Sequence, residues 1–497
     1  MNKLDRRSFL KSSLLTTAGL SVLPALGADT SSDPAAPAST AARPTGANGD
    51  IRFAIVGFNG GGGRGMDHIK EMRDVPGTRM VALCDVDQHN LDREVKKYVD
   101  QGEKIEGYTD IRKLLENKDI DVVTFATPNH WHALGTIWAM QAGKDVYVEK
   151  PISHNVWEGR RVVEVARQLK RIVQAGTQSR SSSGMTEGIK WVRDGNIGRI
   201  LRARSLCYKR RPSIGKVDGP QPIPPGIDYD LWCGPAPKEP LMRKKLHYDW
   251  HWVWPTGNGD LGNQGIHQMD MGRWVLGETA LSPRILSVGG RLGYVDDGTT
   301  PNTLIIFHDY PTAPLIFEVR GLPESTDSKN MDKYRGVSIG VVVDCEGGSM
   351  VIPDYNGVRI LDKDGTELKK FSGSTSHFAN FIDAVRSRKP SDLHAEILEG
   401  HLSSALCHTG NISYRLGKTQ SPEENREAVK SNKDLAEALG RMEEHLASNN
   451  VDLTKMPATL GAVLKMNPQA ERFIDNAQAD QLLTREYREP FVVPKKV

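Results

Sequence analysis

Phe53-Ala54-Ile55-Val56-Gly57-Phe58-Asn59-Gly60-Gly61-Gly62-Gly63-Arg64-Gly65 is an apolar run that ends in glycines and leads into a helical stretch. Four apolar residues closed by glycine read as a strand buried on both faces of a parallel sheet. The glycines beyond let the backbone approach a ligand closely, and a helix starting there turns its N-terminus toward negative charge. Strand, glycine turn and helix in that order hold a dinucleotide pyrophosphate. The next strand, residues 80–84, closes on Asp85, which is placed to accept hydrogen bonds from ribose hydroxyls. A carboxylate there repels a 2′-phosphate and favours NAD over NADP, while the nearby cation Arg64 keeps NADP open. The cofactor-binding candidates in this turn are Gly57, Asn59, Gly60, Gly62, Arg64 and Asp85. Asn59 stands where many such turns carry glycine.

Outward from this unit, residues 121–126, 145–148 and 172–176 read as further strands. Helical patterns fill 67–73, 87–99, 111–116, 132–142 and 156–169. Alternating strands and helices predict a doubly wound parallel sheet, a dinucleotide-binding domain over 51–180. After Gly198 the runs are β-rich: 200–207, 285–289, 302–307, 315–319, 338–343 and 358–361. They predict a second α/β domain over 181–420 with a mostly antiparallel sheet, interrupted by Pro- and Gly-rich loops at 212–226 and 321–332. Residues 377–417 are helical and expected to pack back on the first domain. Residues 421–497 read as a helical extension with an extended end.

The first residues set the expected compartment. Asp5-Arg6-Arg7-Ser8-Phe9-Leu10-Lys11 has the form of a twin-arginine export signal, followed by a moderately apolar run to Leu26 and small residues at Ala25, Gly27 and Ala28. That run is shorter than the roughly 20 apolar residues that span a bilayer. The expectation is a signal peptide over 1–28, an Ala/Ser/Thr/Pro linker over 29–50, no membrane span, and a periplasmic protein that folds around its cofactor before export. The remaining length of about 450 residues suits two packed domains. A net charge of +3 with 26% charged residues is too balanced for a nucleic-acid partner. The five cysteines lie far apart without metal-ligand spacing and read as buried apolar fillers.

The chemistry concentrates in two places. Val148-Glu149-Lys150-Pro151 puts a lysine just beyond the nucleotide-binding sheet, and Gly257-Asn258-Gly259 is followed by Asn263, His267 and Asp270. A lysine and a histidine together suit hydride chemistry on a hydroxyl, one group binding or polarising the oxygen while the other exchanges its proton.

Together with Ala126-Thr127-Pro128-Asn129-His130 and Trp232-Cys233-Gly234-Pro235-Ala236-Pro237, these motifs resemble the glucose–fructose oxidoreductase and inositol dehydrogenase family, Gfo/Idh/MocA. The resemblance runs from Ile51 to about Gly417. It implies an N-terminal Rossmann domain, a C-terminal α/β domain with an open, mainly antiparallel sheet, and an active site between them. Thr127, Pro128, Asn129 and His130 would line the nicotinamide side of NAD, with Glu149 and Lys150 beside the ring. Lys150 and His267 would be catalytic. The sheet face of the second domain serves as a dimer surface in that family, which implies a homo-oligomer. The family usually carries aspartate four residues before the histidine, and this chain has Asn263. Either proton transfer rests on Lys150 and His267 with Asn263 as a hydrogen-bonding amide, or Asp260 or Asp270 compensates.

In His247-Tyr248-Asp249-Trp250-His251-Trp252-Val253-Trp254, alternate tryptophans are expected on one side of an extended segment, where Trp250 and Trp252 could stack on a sugar ring. Arg180 and Tyr208 are further substrate-side candidates. His401 and His408 have a metal-like look without a third ligand, so no metal site is expected. The reading is an oxidoreductase, NAD-dependent, acting on a secondary hydroxyl of a sugar, inositol or glycoside. Two alternatives stand beside it: an NAD-dependent glycosidase working by oxidation and elimination with recycled cofactor, and a non-catalytic exported sugar-binding protein.

Overall fold

The computed structural model describes residues 49–58 and 63–496. The twin-arginine signal, all but the end of the linker, and Asn59, Gly60 and Gly62 of the glycine turn lie outside the described residues. Strands β1 (Ile51–Val56), β2 (Thr78–Cys84), β3 (Glu106–Tyr108), β4 (Val122–Phe125), β5 (Asp145–Val148) and β6 (Val173–Ala175) form one parallel sheet in the order β3-β2-β1-β4-β5-β6. Helices α1 (Arg64–Arg73), α2 (Gln88–Val99), α3 (Ile111–Glu116), α4 (Asn129–Gln141) and α5 (Val156–Gln168) connect them. Every residue of β4 and β5 is buried, as helices on both sheet faces require. β3 escaped the sequence reading because Glu106-Gly107-Tyr108 is short, largely exposed and without an apolar pattern.

Strand order reverses at β1, so the connections leaving the ends of β1 and β4 diverge and open a crevice there. Gly57, the first residue past β1, has φ +81°, and a Cβ on it would lie 2.8 Å from the backbone nitrogen of Thr127. Only glycine meets both conditions.

The second domain begins with α6 (Ser183–Arg193) and β7 (Ile200–Tyr208). The short helices α7 (Tyr229–Cys233) and α8 (Gly259–Asn263) and the longer α9 (Gly265–Leu276) precede β8 (Arg284–Gly290), β9 (Thr303–His308) and β10 (Leu315–Arg320). Next come β11 (Ile339–Cys345), β12 (Gly348–Ile352), β13 (Gly357–Asp362) and β14 (Glu367–Ser372). The sheet is mixed, with β7 and β10 parallel and the other pairs antiparallel. On one face α9 and α11 (Ile397–Arg415) bury Met269, Val275, Leu406 and Cys407 against Ile306, Phe317 and Val341. The preceding helix α10 (His377–Ser387) belongs to the first lobe's core, where Phe378 stacks on Tyr147 at 4.3 Å.

The tail corrects the expectation of a helical extension. Its helices are α12 (Pro422–Val429), α13 (Lys433–Ser448) and α14 (Ala477–Gln481). Between α13 and α14, residues 459–460 and 464–467 add to the edge of the large sheet at β8. Leu464-Lys465-Met466-Asn467 alternates buried and exposed, a period-two signal too short to stand out. α13 covers the sheet's other face: Leu435, Leu439, Met442 and Leu446 pack on Val288, Ile305, Phe307 and Ile316. The face that the resemblance offers as a dimer surface is thus occupied, over β8 to β10, by the chain's own helix. Beyond it, Phe491 and Val493 enter the core of the first lobe, Phe491 meeting Trp131 edge-on at 5.6 Å. All five cysteines are buried and free. Among the described residues no helix is long and apolar enough to cross a membrane.

Candidate active site

The crevice at the ends of β1, β2 and β4 contains a cavity of about 350 Å³. Gly57, Arg64, Asp85, Thr127, Pro128 and Asn129 line it on the sheet side, and Lys150 and Asn263 meet at its far wall. At the start of α1, a Cβ on Gly65 would lie 2.1 Å from the carbonyl oxygen of Gly57, so the helix sits directly on the turn. Two positions without room for a side chain, beside a helix N-terminus, form a cradle that fits a pyrophosphate.

Asp85 closes the adenosine end. Its carboxylate accepts the Phe58 N–H at 2.8 Å and the Asp87 N–H at 3.0 Å. Burial nevertheless lifts its carboxyl to about 7, outweighing those two donors. A raised pKa means that the folded chain favours the protonated acid. Its contribution to stability is therefore present at low pH and is lost as pH climbs from the ordinary carboxylate range through about 7. Ribose hydroxyls donate to the ionised form, so NAD affinity is expected to rise across the same window, up to about tenfold between pH 6 and 8. Asp85→Asn should flatten that dependence. Nucleotide titrations at both pH values check it.

Arg64, expected as a nearby free cation, is instead held by three carboxylates: Glu149 at 2.9 Å, Glu71 at 2.9 Å and Asp67 at 3.2 Å. That leaves it poorly placed to pair with a 2′-phosphate. Glu149 is likewise turned inward and accepts from Arg64, His68 and Gln178. Burial alone would raise its pKa, but the His68 hydrogen bond and the Arg64 charge hold it well below the usual carboxylate range. Glu149 is thus an anchor that fixes the residue before Lys150. His130 also departs from expectation. It is fully buried, with its ring nitrogens against the carbonyls of Trp232 (2.9 Å) and Thr256 (3.4 Å). The neighbour that does reach the cavity is His132, whose nitrogens face the carbonyls of Pro151 and Thr127 at 2.6 and 2.8 Å. Only the placement of α4 reveals which of the two histidines faces the crevice.

Lys150 joins the lobes. Its Nζ donates to the backbone carbonyl of Asn263 at 2.9 Å, and burial lowers its pKa from the usual lysine value. A second bridge runs from Asn129 Nδ2 to Asn258 Oδ1 at 3.0 Å, while Asn258 Nδ2 donates to the His154 carbonyl at 3.0 Å. The Gly257-Asn258-Gly259 turn is therefore pinned to the first lobe by a side chain that the sequence reading had not singled out. His267 does not line the cavity. Its ring meets Tyr355 edge-on at 5.4 Å, and its buried Nδ1 has no partner. Burial first, and then the Lys150 charge, press its pKa down to about 3, so the imidazole is neutral.

Neither acid offered as compensation for Asn263 is free. Asp260 takes a two-pronged bond from Arg211 at 3.0 and 2.7 Å. Asp270, fully buried, is gripped by Arg180 and by Ser403 Oγ at 2.7 Å. Arg180 is accordingly corrected from substrate contact to structural partner, buried between Asp270 and Glu399. Arg180→Ala would leave Asp270 buried without its main cation and is expected to cost roughly 3–5 kcal/mol, read from denaturant melts. Tyr208 is corrected as well. Side chains alternate along β7, so Cys207 faces the helical core while Tyr208 faces the α13 side, its hydroxyl donating to Glu318 at 2.6 Å.

The tryptophan stripe is not extended. Residues Asp249–Trp252 form a single 3-10 turn, which splays Trp250 and Trp252 apart instead of stacking them on one side. Trp250 lines the cavity with its face on His251, ring centroids 3.6 Å apart, while Trp252 lies under the Arg211 guanidinium. His251, whose place in the site no sequence signal marks, also reaches the cavity. Its Nδ1 bonds the Tyr248 carbonyl at 2.7 Å, and a carbonyl can only accept, so Nδ1 carries the proton and Nε2 the lone pair. The other two suspected metal-type histidines are used structurally. His401 bonds the Glu471 carboxylate at 2.9 Å and His408 the Ser153 carbonyl at 3.1 Å. Among the described residues no group of His, Cys, Asp or Glu is arranged to hold a metal ion.

Comparison with known proteins agrees with this geometry. Residues 51–177 match the oxidoreductase family's NAD-binding Rossmann fold, and residues 209–304 match the same family's C-terminal alpha/beta domain. A glycosyl hydrolase family 109 protein of Shewanella pealeana is 32% identical over 227 residues, 44% of this chain and 49% of that protein. An alpha-N-acetylgalactosaminidase of Shewanella oneidensis is 31% identical over 211 residues, 41% of this chain and 46% of its own. The chain thus spans about half the length of the curated relatives it matches. Among solved structures, the WlbA dehydrogenase of Bordetella pertussis, crystallised with NADH and UDP-GlcNAcA, superposes with a TM-score of 0.52 at 17% identity, over 72% of this chain and 94% of that one. An oxidoreductase domain protein of Kribbella flavida gives 0.52 at 19%, over 73% and 96%. At these identities the likeness is one of fold. With both domains of the family matched in order, and the nucleotide crevice between β1 and β4 in place, the chain belongs to the Gfo/Idh/MocA oxidoreductases, and its first domain is their NAD-binding Rossmann domain.

Proposed function

We propose that the protein is an exported, periplasmic enzyme that oxidises or reduces a secondary hydroxyl of a sugar, inositol or glycoside. The observation that carries this reading is the Lys150–Asn263 bond, which sets an amine of lowered pKa in the wall of the NAD crevice where the two lobes meet. Bound NAD supplies the hydride acceptor. Lys150 binds the reacting oxygen and stabilises its developing negative charge, since an ammonium in a partly water-excluded site counts for more than in solvent. The hydroxyl proton passes to and from the neutral Nε2 of His251, which lines the cavity, while Asn263 supplies a hydrogen-bonding amide at the crevice wall and His267 stays neutral behind it. The Arg64–Glu149–His68 cluster keeps Lys150 in place from behind.

One observation favours a second reading, cleavage of a glycoside by oxidation and elimination with the hydride returned. His251 lines the same cavity as a neutral imidazole with its lone pair on Nε2, the form that can take a proton from carbon next to a transient carbonyl. The relatives named as family 109 glycosidases point the same way. The test is NAD-loaded full-length protein supplied with free sugars and with nitrophenyl glycosides. Reduced nicotinamide accumulating with free sugars supports the first reading. Chromophore release without net reduction supports the second. Neither signal from a broad panel overturns both.

A further inference from the structure

Beside the crevice wall a second ammonium, that of Lys209, acts on Lys150, although Lys150 alone of the two lines the cavity. Lys150 and Lys209 are held by two consecutive residues of one turn: Lys150 Nζ by the carbonyl of Asn263 at 2.9 Å, and Lys209 Nζ by the side-chain oxygen of Gln264 at 2.8 Å. Both acceptors are neutral. Among the described residues neither ammonium lies within ion-pair distance of a carboxylate. The acids that could have served are engaged elsewhere: Asp260 by Arg211, Glu149 by Arg64 and His68. Asn263 itself is an amide where the resembling family carries an acid. His267 feels the charges of Lys150, Arg64 and Lys209 against that of Glu149, and its buried Nδ1 is without a partner.

Two half-buried ammonium groups hydrogen-bonded only to carbonyl-type oxygens, with Glu149 and Asp260 acting on Lys150 from a distance while bonded to other cations, leave a local positive potential centred on Lys209 that a neutral sugar does not satisfy. An anionic substituent would satisfy it. Ammonium groups act as point charges without the fork geometry that suits a phosphate, and a singly charged group matches the small number of donors present. We propose that the sugar substrate carries an anionic group, a carboxylate of the uronic acid type, seated on Lys209 with Lys150 beside it at the reacting hydroxyl. This deepens the sugar oxidoreductase reading and rests on it. Lys209 binds and orients; Lys150 remains the group that touches the reacting oxygen.

The experiment titrates NAD-loaded full-length protein with glucuronate, galacturonate and mannuronate, with the three parent hexoses, and with glucose 6-sulfate, by calorimetry. NAD reduction is followed in parallel. At least one uronate is expected to bind about tenfold or more tightly than its parent hexose, with a preference that shrinks as salt is added. Lys209→Gln should bring the pair to within about twofold while NAD affinity stays unchanged, because the change removes one charge from the sugar side alone. Equal binding of uronates and hexoses, or a preference that survives in Lys209→Gln, overturns the anion site. Tighter binding of the sulfate ester than of any uronate overturns the carboxylate assignment. Hexoses that reduce NAD as fast as uronates overturn this proposal and leave the oxidoreductase reading standing. Absence of binding and reduction with every sugar removes both.

Discussion

Lys150→Ala protein is expected to bind NAD as the parent does and to turn over its substrate at least about a hundredfold more slowly, the usual scale for loss of a positioned proton-transfer or charge-stabilising group. The separation of effects follows from where the side chain goes. Lys150 Nζ spans to the Asn263 carbonyl across the lobes, whereas the nucleotide cradle is built by Gly57, Gly65 and Asp85 on the sheet side. Glu149 is fixed by Arg64, His68 and Gln178 independently of the lysine amine, so the strand end should survive the truncation. The checking measurements are single-turnover hydride transfer and a nucleotide titration on the same preparation. Unchanged turnover would remove Lys150 from its assigned role. Loss of NAD binding would make it a structural residue of the cradle.

Gly65→Ala should produce the opposite pattern, a fall in NAD affinity of about a hundredfold or more with turnover lost as a consequence. The added Cβ would sit 2.1 Å from the Gly57 carbonyl oxygen and 2.9 Å from the Phe58 backbone, so α1 must lift from the turn that carries the pyrophosphate. Forced overpacking of this sort typically costs about 1–3 kcal/mol, and here the displaced atoms are the cradle itself. Gly102→Ala is the control: its φ of +86° adds a backbone strain that helical Gly65 does not have, but nothing lies within 4 Å of the new atom. It should lower the melting temperature slightly and leave NAD affinity alone. Equal loss in both variants would show that general destabilisation, and not crowding at the turn, governs binding.

The way these residues were recognised follows the physics that acts on them. Gly57 and Asp85 were readable because a nucleotide turn is a local object, strand, turn and helix being contiguous, whereas the crowding at Gly65 shows only in the folded turn. Most strands of both sheets were readable for the same reason, being continuous apolar runs that burial demands. β3, β12, β14 and the strand at 464–467 were not, because short or exposed segments gain their pairing from neighbours already in place. Arg180 and Tyr208 looked like substrate-side residues and Asp270 like a compensating acid, since a charge or hydroxyl near a motif looks the same in sequence whether it faces a ligand or a buried partner.

By itself the sequence determined that this chain builds a parallel dinucleotide sheet followed by a largely antiparallel one, and that Lys150 ends a strand beside the cofactor. Tertiary structure alone decided which polar groups remain free. His132 rather than His130 reaches the crevice, Asp260 and Asp270 are spent on Arg211 and Arg180, and α13 from the far end of the chain covers one face of the second sheet. The physical reason is range. Strand and turn propensities are settled among near neighbours, whereas the pairing of a buried charge depends on whatever the fold brings within about 4 Å from elsewhere in the chain.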